Sequence, residues 1–121
     1  MPVGGMSIMI VEDEPLIRFN LADFFEEAGF IVFEAEHADE AIAVMRRQPG
    51  IRIVVTDVNM PGSMDGLKLA HYINDRYPPT LLFVTSGAVN PTDADLPPDS
   101  HFLPKPFDPN NLLRTIERLA S

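Results

Sequence analysis

The sequence predicts an α/β fold, a five-stranded parallel sheet with helices on both faces. Three observations predict it. Short apolar runs alternate with amphipathic stretches along the chain. The runs are bounded by Gly, Pro and acidic residues, which break regular structure. The first run, Ser7–Val11, is apolar throughout after its opening serine, as a strand buried on both faces is. At 121 residues, 45% of them hydrophobic, the chain makes one domain with a real core.

Each element follows from its own residues. Ser7–Val11 stops at Glu12-Asp13-Glu14, and Pro15 suits the first turn of a helix, where a missing N–H costs nothing. Leu16, Ile17, Leu21, Phe24, Phe25 and Ala28 recur at helical spacing, and Gly29 ends that helix. Phe30–Ala35 reads as the second strand. Ala38–Gln48 reads as the second helix, with Ala41, Ile42, Val44 and Met45 inward, and Pro49-Gly50 as a turn. Ile51–Thr56 is rich in β-branched residues and forms a third strand ending at Asp57. A loop over residues 60–63 leads to a helix over Asp65–Tyr77, stopped by Pro78-Pro79, and then to a fourth strand over Thr80–Thr85. Residues 86–100 hold Pro91, Pro97 and Pro98 and little apolar periodicity, so a fourth helix there is expected to be short or irregular. His101–Leu103 is a short fifth strand. Pro104-Lys105-Pro106 is a rigid connection, and Pro109 opens a last helix with Leu112, Leu113, Ile116, Leu119 and Ala120 on one side. Five strand–helix units fit a flavodoxin-like (βα)5 doubly wound sheet of order 2-1-3-4-5. A closed barrel of this kind needs eight units.

Composition narrows the function. Nine Lys and Arg against eighteen Asp and Glu give a formal net charge of −9. That balance disfavours nucleic acid and anionic membrane surfaces as direct partners, since both require clustered cations. With no cysteine, disulfides, Cys-type zinc sites and thiol nucleophiles are excluded. No apolar run approaches the roughly 20 residues of a membrane span, and residues 1–6 lack the features of a secretory signal, so a cytoplasmic location is expected. Residues 1–6 read as a loose start and 7–121 as a single domain.

In such sheets ligands bind at the carboxyl ends of the strands. The first strand ends at Glu12-Asp13, the third at Asp57, the fourth at Thr85 and the fifth at Lys105. The strand order sets these side by side. Three crowded carboxylates repel unless a cation joins them. A hard divalent ion such as Mg2+ prefers oxygen donors of this kind. A carboxylate such as Asp57 can also act as a nucleophile and accept a phosphoryl group. The transferring group spreads charge over its oxygens, which a Lys ammonium and a hydroxyl can bind. Lys105, one of only two lysines, and Thr85 supply these. Taken singly, each feature has a plainer reading. Glu12-Asp13-Glu14 suits a helix N-terminus, Asp57 a turn, Lys105 a solvated surface, Thr85-Ser86 a helix cap and Phe102 the core. His37, His71 and His101 suggest no metal site and suit surface or loop positions.

The segments Val11-Glu12-Asp13-Glu14-Pro15, Thr56-Asp57-Val58-Asn59-Met60-Pro61-Gly62, Asp65-Gly66, Val84-Thr85-Ser86 and Leu103-Pro104-Lys105-Pro106-Phe107 occur in an order spanning nearly the whole chain. In this combination the chain resembles the receiver domains of two-component response regulators. The resemblance implies a stand-alone phosphoacceptor, with no output domain, that assists its own phosphorylation and dephosphorylation as a signalling switch. It implies Asp57 as phosphoacceptor, and Mg2+ (or Mn2+) held by Asp13, Asp57 and the backbone carbonyl of Asn59, with Glu12 acting through water. It implies Thr85, Lys105 and Phe102 as phosphoryl-binding and switch residues, and a cis peptide before Pro106. A sensor histidine kinase or a histidine phosphotransfer protein is the implied phosphoryl donor. The output is then a protein partner or a phosphate sink.

Two departures from the family pattern stand out. The loop Pro61-Gly62-Ser63-Met64-Asp65-Gly66 is one residue longer than the common form. Gly87–Ser100 carries three prolines where a regular helix is usual, so partner contacts of that face are not carried over. Three other readings stay open. An Asp-nucleophile phosphatase commonly has an acid two residues on, where this chain has Asn59. A flavin module would meet Glu12-Asp13 where its phosphate belongs. A receiver-like module used only for binding would be marked by loss of Asp57, the acid pair or Lys105, all of which are present.

Overall fold

The strands β1 (Ser7–Val11), β2 (Ile31–Ala35), β3 (Ile53–Asp57), β4 (Leu81–Ser86) and β5 (His101–Pro104) form one sheet of order β2-β1-β3-β4-β5. Every neighbouring pair is parallel. The helices are α1 (Pro15–Glu27), α2 (Ala38–Arg47), α3 (Gly66–Arg76) and α4 (Pro109–Ala120). The computed structural model describes residues 5–58, 65–87 and 95–120. The doubly wound sheet and its strand order are those expected from the sequence. Element ends differ from expectation by one or two residues, with Asp57 drawn into β3. Whether residues 88–94 form a helix lies outside the described residues.

The sheet separates two cores because alternate residues of each strand face opposite sides. Met9, Val11, Val54, Leu82 and Val84 pack under α2 and α3. Ile8, Ile10, Ile53, Val55 and Phe83 pack under α1 and α4. Each fully buried Ile, Leu or Phe contributes about 2 kcal/mol, enough to over-determine the positions of the strand ends. Phe25 anchors the second core, with its ring edge-on to Phe24 and Phe30.

Helix ends follow local chemistry. Asp65 caps α3 through Oδ1, which accepts from the Lys68 N–H at 2.9 Å. Gly29 takes φ +97° just past α1, a conformation that suits glycine. His37 caps α2, with Nδ1 accepting from the Glu40 N–H. His71 Nε2 bonds the Asp95 carbonyl at 2.8 Å, and His101 stacks on Phe83. These histidines have structural partners, which residue type alone did not reveal. In α1 the inward face is Arg18, Leu21, Ala22 and Phe25. Leu16 is 70% exposed and Ile17 37%, so the expected apolar series does not all turn inward. The spacing 18-21-22-25 is the true face, and it starts on a cation. Among the described residues, no helix is long and apolar enough to cross a membrane.

Candidate functional site

The carboxyl ends of β1, β3, β4 and β5 meet in register. Val11 lies opposite Thr56, Asp57 opposite Thr85, and Ser86 opposite Pro104. Strands β1, β3 and β4 are buried up to their last residues, so the chain must emit its polar side chains at one edge. Glu12 and Asp57 are 3% and 7% exposed, and Asp13 is partly buried. Carboxylate oxygens of Glu12, Asp13 and Asp57 all lie within 4.8 Å of one another.

Lys105 reaches into this group from the end of β5. Its Nζ donates to Glu12 Oε1 at 2.6 Å and to Asp57 Oδ2 at 3.2 Å. The Lys105 N–H donates to the Ser86 carbonyl at 2.8 Å, and the Lys105–Pro106 peptide is cis. Burial pushes the Glu12 carboxyl above its ordinary range. The Lys105 bond and the Glu14 N–H pull it down without cancelling that, and Asp57 adds repulsion. Burial pulls Lys105 down, but the bonds and charges of Glu12 and Asp57 outweigh it and hold the ammonium above its ordinary range.

The floor of the site is tightly built. Val58 N–H donates to the Thr85 carbonyl at 2.8 Å, and Gly66 N–H donates to the Val58 carbonyl at 2.9 Å. A side chain at Gly66 would place its Cβ 1.7 Å from the Asp57 carbonyl oxygen. The start of α3 therefore lies directly on the Asp57 backbone, an approach only glycine allows. Thr85 is 3% exposed, and its hydroxyl makes a long 3.5 Å bond to the Thr56 carbonyl. Phe102 is partly buried opposite Val84 in β4.

The structure thus brings Glu12, Asp13, Asp57, Thr85 and Lys105 to one edge. Phe102 sits further back along β5. The Asn59 carbonyl lies outside the described residues. Beside the acid group, a groove of about 270 Å³ is lined by Ile17, Leu21, Lys105, Pro106 and Phe107, among others.

One residue escaped the sequence reading. Arg18 is 5% exposed, and its Nη1 donates to the Glu12 carbonyl at 2.8 Å. Its Nε donates to Glu34 Oε1 at 3.2 Å, and Nη2 lies 3.5 Å from Glu36 Oε1. The available signal was its place in the 18-21-22-25 series, where a lone charge on a buried face needs partners.

Three oxygen-donor carboxylates this close, two of them buried, match what a hard divalent cation takes, and nothing in the set is a soft ligand. The group therefore fits Mg2+ or Mn2+.

Comparisons with known proteins agree on the family. The family model described as the response regulator receiver domain matches residues 8–117. The chain is 31% identical over 116 residues to the response regulator receiver protein CpdR of Brucella abortus, covering 93% of this chain and 94% of that protein. It is 33% identical over 120 residues to the sensor kinase CckA of the same organism, and 35% identical over 116 residues to the response regulator FleR of Pseudomonas aeruginosa. These matches cover 96% and 93% of this chain but span only 13% of CckA and 24% of FleR. The receiver protein structure from Sinorhizobium medicae superposes with a TM-score of 0.87 at 25% identity, covering 95% of this chain and 94% of that one. The NtrX receiver domain of Brucella abortus gives 0.82 at 30% identity, covering 92% and 95%. The chain belongs to the response regulator receiver domain family.

Proposed function

We propose that this chain is a phosphoacceptor switch in a two-component relay, with Asp57 as the acceptor. The observation that carries the reading is the meeting of Asp57 with two further carboxylates and one ammonium at a single sheet edge. A carboxylate oxygen of Asp57 attacks the phosphorus of a phosphohistidine. The O–P bond forms, the P–N bond breaks, and the electron pair leaves on the imidazole nitrogen. Hydrolysis reverses the gain, as water takes the phosphoryl group and Asp57 returns as a carboxylate.

Asp13 and Asp57 would hold the divalent cation, with Glu12 acting through water and the Asn59 carbonyl, outside the described residues, as the further ligand the resemblance implies. When bound, the cation offsets the negative charge that gathers on the phosphoryl oxygens. Lys105 supplies a fixed positive charge to the same oxygens, and its double contact with Glu12 and Asp57 keeps it aimed there. Thr85 lies opposite Asp57 with a weakly engaged hydroxyl, free to turn toward a phosphoryl oxygen. Phe102 lacks a hydroxyl, so its part in switching is a change in ring burial. The donor is a histidine kinase or a histidine phosphotransfer protein. The exposed Leu16 and Phe19 and the groove beside Lys105 suit such a protein partner. The output is a changed protein contact or drainage of phosphate from a kinase, in the cytoplasm.

Mass spectrometry after incubation with a small phosphodonor tests this. A Mg2+-dependent phosphoryl adduct on Asp57, absent in Asp57→Asn, is expected. Full labelling of Asp57→Asn at another residue would overturn the assignment. A binding-only receiver would show no adduct in either protein.

A further inference from the structure

We propose that Arg18 is a positioning residue for the acid pair, fixing the peptide that joins Glu12 to Asp13 in its cation-holding orientation. The proposal rests on the reading above that the acid group takes a divalent cation.

The Glu12 carbonyl that accepts from Arg18 Nη1 belongs to the planar unit whose other end is the Asp13 nitrogen. Holding that oxygen holds Asp13 as well. The Glu12 N–H is already tied to the Ala35 carbonyl at 3.0 Å. Glu12 is therefore held on both sides, by β2 through its N–H and by α1 through its carbonyl. The Arg18 N–H also donates to the Glu14 carbonyl at 3.0 Å, so main chain and side chain of one residue close the loop after β1 from both directions. Without the guanidinium, no other hydrogen bond among the described residues holds the Glu12 carbonyl, and the unit can rotate and carry Asp13 with it.

The charge of Arg18 has its own explanation. A bare buried cation beside three carboxylates would oppose a second cation there. Glu34 and Glu36 take up the guanidinium charge from the opposite side. What remains for the acid group is the directed hydrogen bond. Only a planar fork reaches these three acceptors at once, and a lysine ammonium does not.

Calorimetric titration of Mg2+ into wild type, Arg18→Met and Arg18→Lys tests the proposal, at a temperature where circular dichroism shows each folded. Met keeps the aliphatic stem and removes the donors. The expected result is Mg2+ affinity weakened about tenfold or more in Arg18→Met, the range for loss of an outer partner of a metal ligand. Arg18→Lys, although charged, is expected not to rescue it. Unchanged Mg2+ affinity with a lowered unfolding midpoint would show a merely structural role and overturn the proposal alone. A wild type that binds neither Mg2+ nor Mn2+ would overturn the cation reading and the proposal with it. Wild-type NMR covers the case in which the variants do not fold. The Arg18 Nε–H resonance is expected to be protected from exchange and to shift along the same Mg2+ saturation curve as the Asp13 amide. A resonance that stays put while Asp13 titrates overturns the proposal.

Discussion

Lys105 Nζ stands 2.6 Å from Glu12 Oε1, a bond that joins residues 93 positions apart and closes the top of the sheet. The same ammonium lies 3.2 Å from Asp57 Oδ2. One lysine thus serves as counter-ion to two buried carboxylates. Balancing the acids, which the structure shows, and binding a phosphoryl group, which is proposed, would draw on the same Lys105 charge.

Removing that charge should therefore cost stability in a cation-dependent way. Lys105→Met leaves Glu12 and Asp57 facing each other without their shared donor. Losing one partner of a fully buried pair costs roughly 3–5 kcal/mol. The Lys105 side chain is 20% exposed, which lowers this to about 2 kcal/mol. Urea unfolding without divalent ions should show that loss, and millimolar Mg2+ should recover part of it. Equal losses with and without Mg2+ would mean that the ammonium and the divalent ion do not share one acid group.

A second consequence concerns pH. The folded Glu12 carboxyl sits above its ordinary value of 4.5. Between that value and the raised one, the folded chain holds more protons than the unfolded chain. The Glu12 contribution therefore falls as pH rises through this window. Lys105 acts in the same direction at higher pH. Its raised value makes its contribution complete below 10.5 and lost as pH climbs through the folded value. Comparing wild type with Glu12→Gln isolates the first effect. Without divalent ions, wild type should lose stability relative to the variant as pH rises above 4.5, and Mg2+ should flatten the slope by favouring ionised Glu12. A relative gain with rising pH would refute the sign.

Much of this arrangement was legible in the residues, and for a physical reason. Continuous apolar strands mark a sheet covered on both faces. In such a sheet the polar residues at or just past the strand ends are forced to the same edge, so Glu12, Asp57, Thr85 and Lys105 fall together from the sequence alone. Arg18 does not. Its partners are a main-chain carbonyl, the Glu34 carboxylate of β2 and the Glu36 carboxylate just after it, and main-chain acceptors leave no mark in a sequence. The helical spacing of α1 also misled, because Leu16 and Ile17 are apolar without being buried. The histidines fall at surface or half-buried positions, as expected, but their capping and stacking partners depend on geometry that residue type does not fix.

Thr85 offers a test in which stability and response separate. Among the described residues its hydroxyl engages the Thr56 carbonyl alone, at 3.5 Å. Replacing it in Thr85→Val, of similar shape, should change stability by about 1 kcal/mol or less. If the hydroxyl turns to the phosphoryl group, the NMR shift difference between the free protein and its complex with a phosphoryl mimic should shrink around β4 and Phe102. A full-sized difference in the variant would remove Thr85 from the switch.

Gly66 makes the sharpest structural prediction. Its site is not a positive-φ turn, so alanine would ordinarily favour a helix start by a fraction of the roughly 1 kcal/mol that separates the two in helices. Here the added Cβ falls 1.7 Å from the Asp57 carbonyl oxygen and 2.6 Å from its carbon. Those atoms are main chain in a fully buried strand and cannot swing aside. Either α3 lifts or the end of β3 shifts, and both break the Gly66 to Val58 hydrogen bond. Gly66→Ala should cost about 3 kcal/mol or more in urea unfolding, at the upper end for overpacking. Because the displaced strand end carries Asp57, the fraction that still folds should also bind Mg2+ more weakly than wild type. A variant as stable as wild type with undiminished Mg2+ affinity would show that the start of α3 does not brace Asp57.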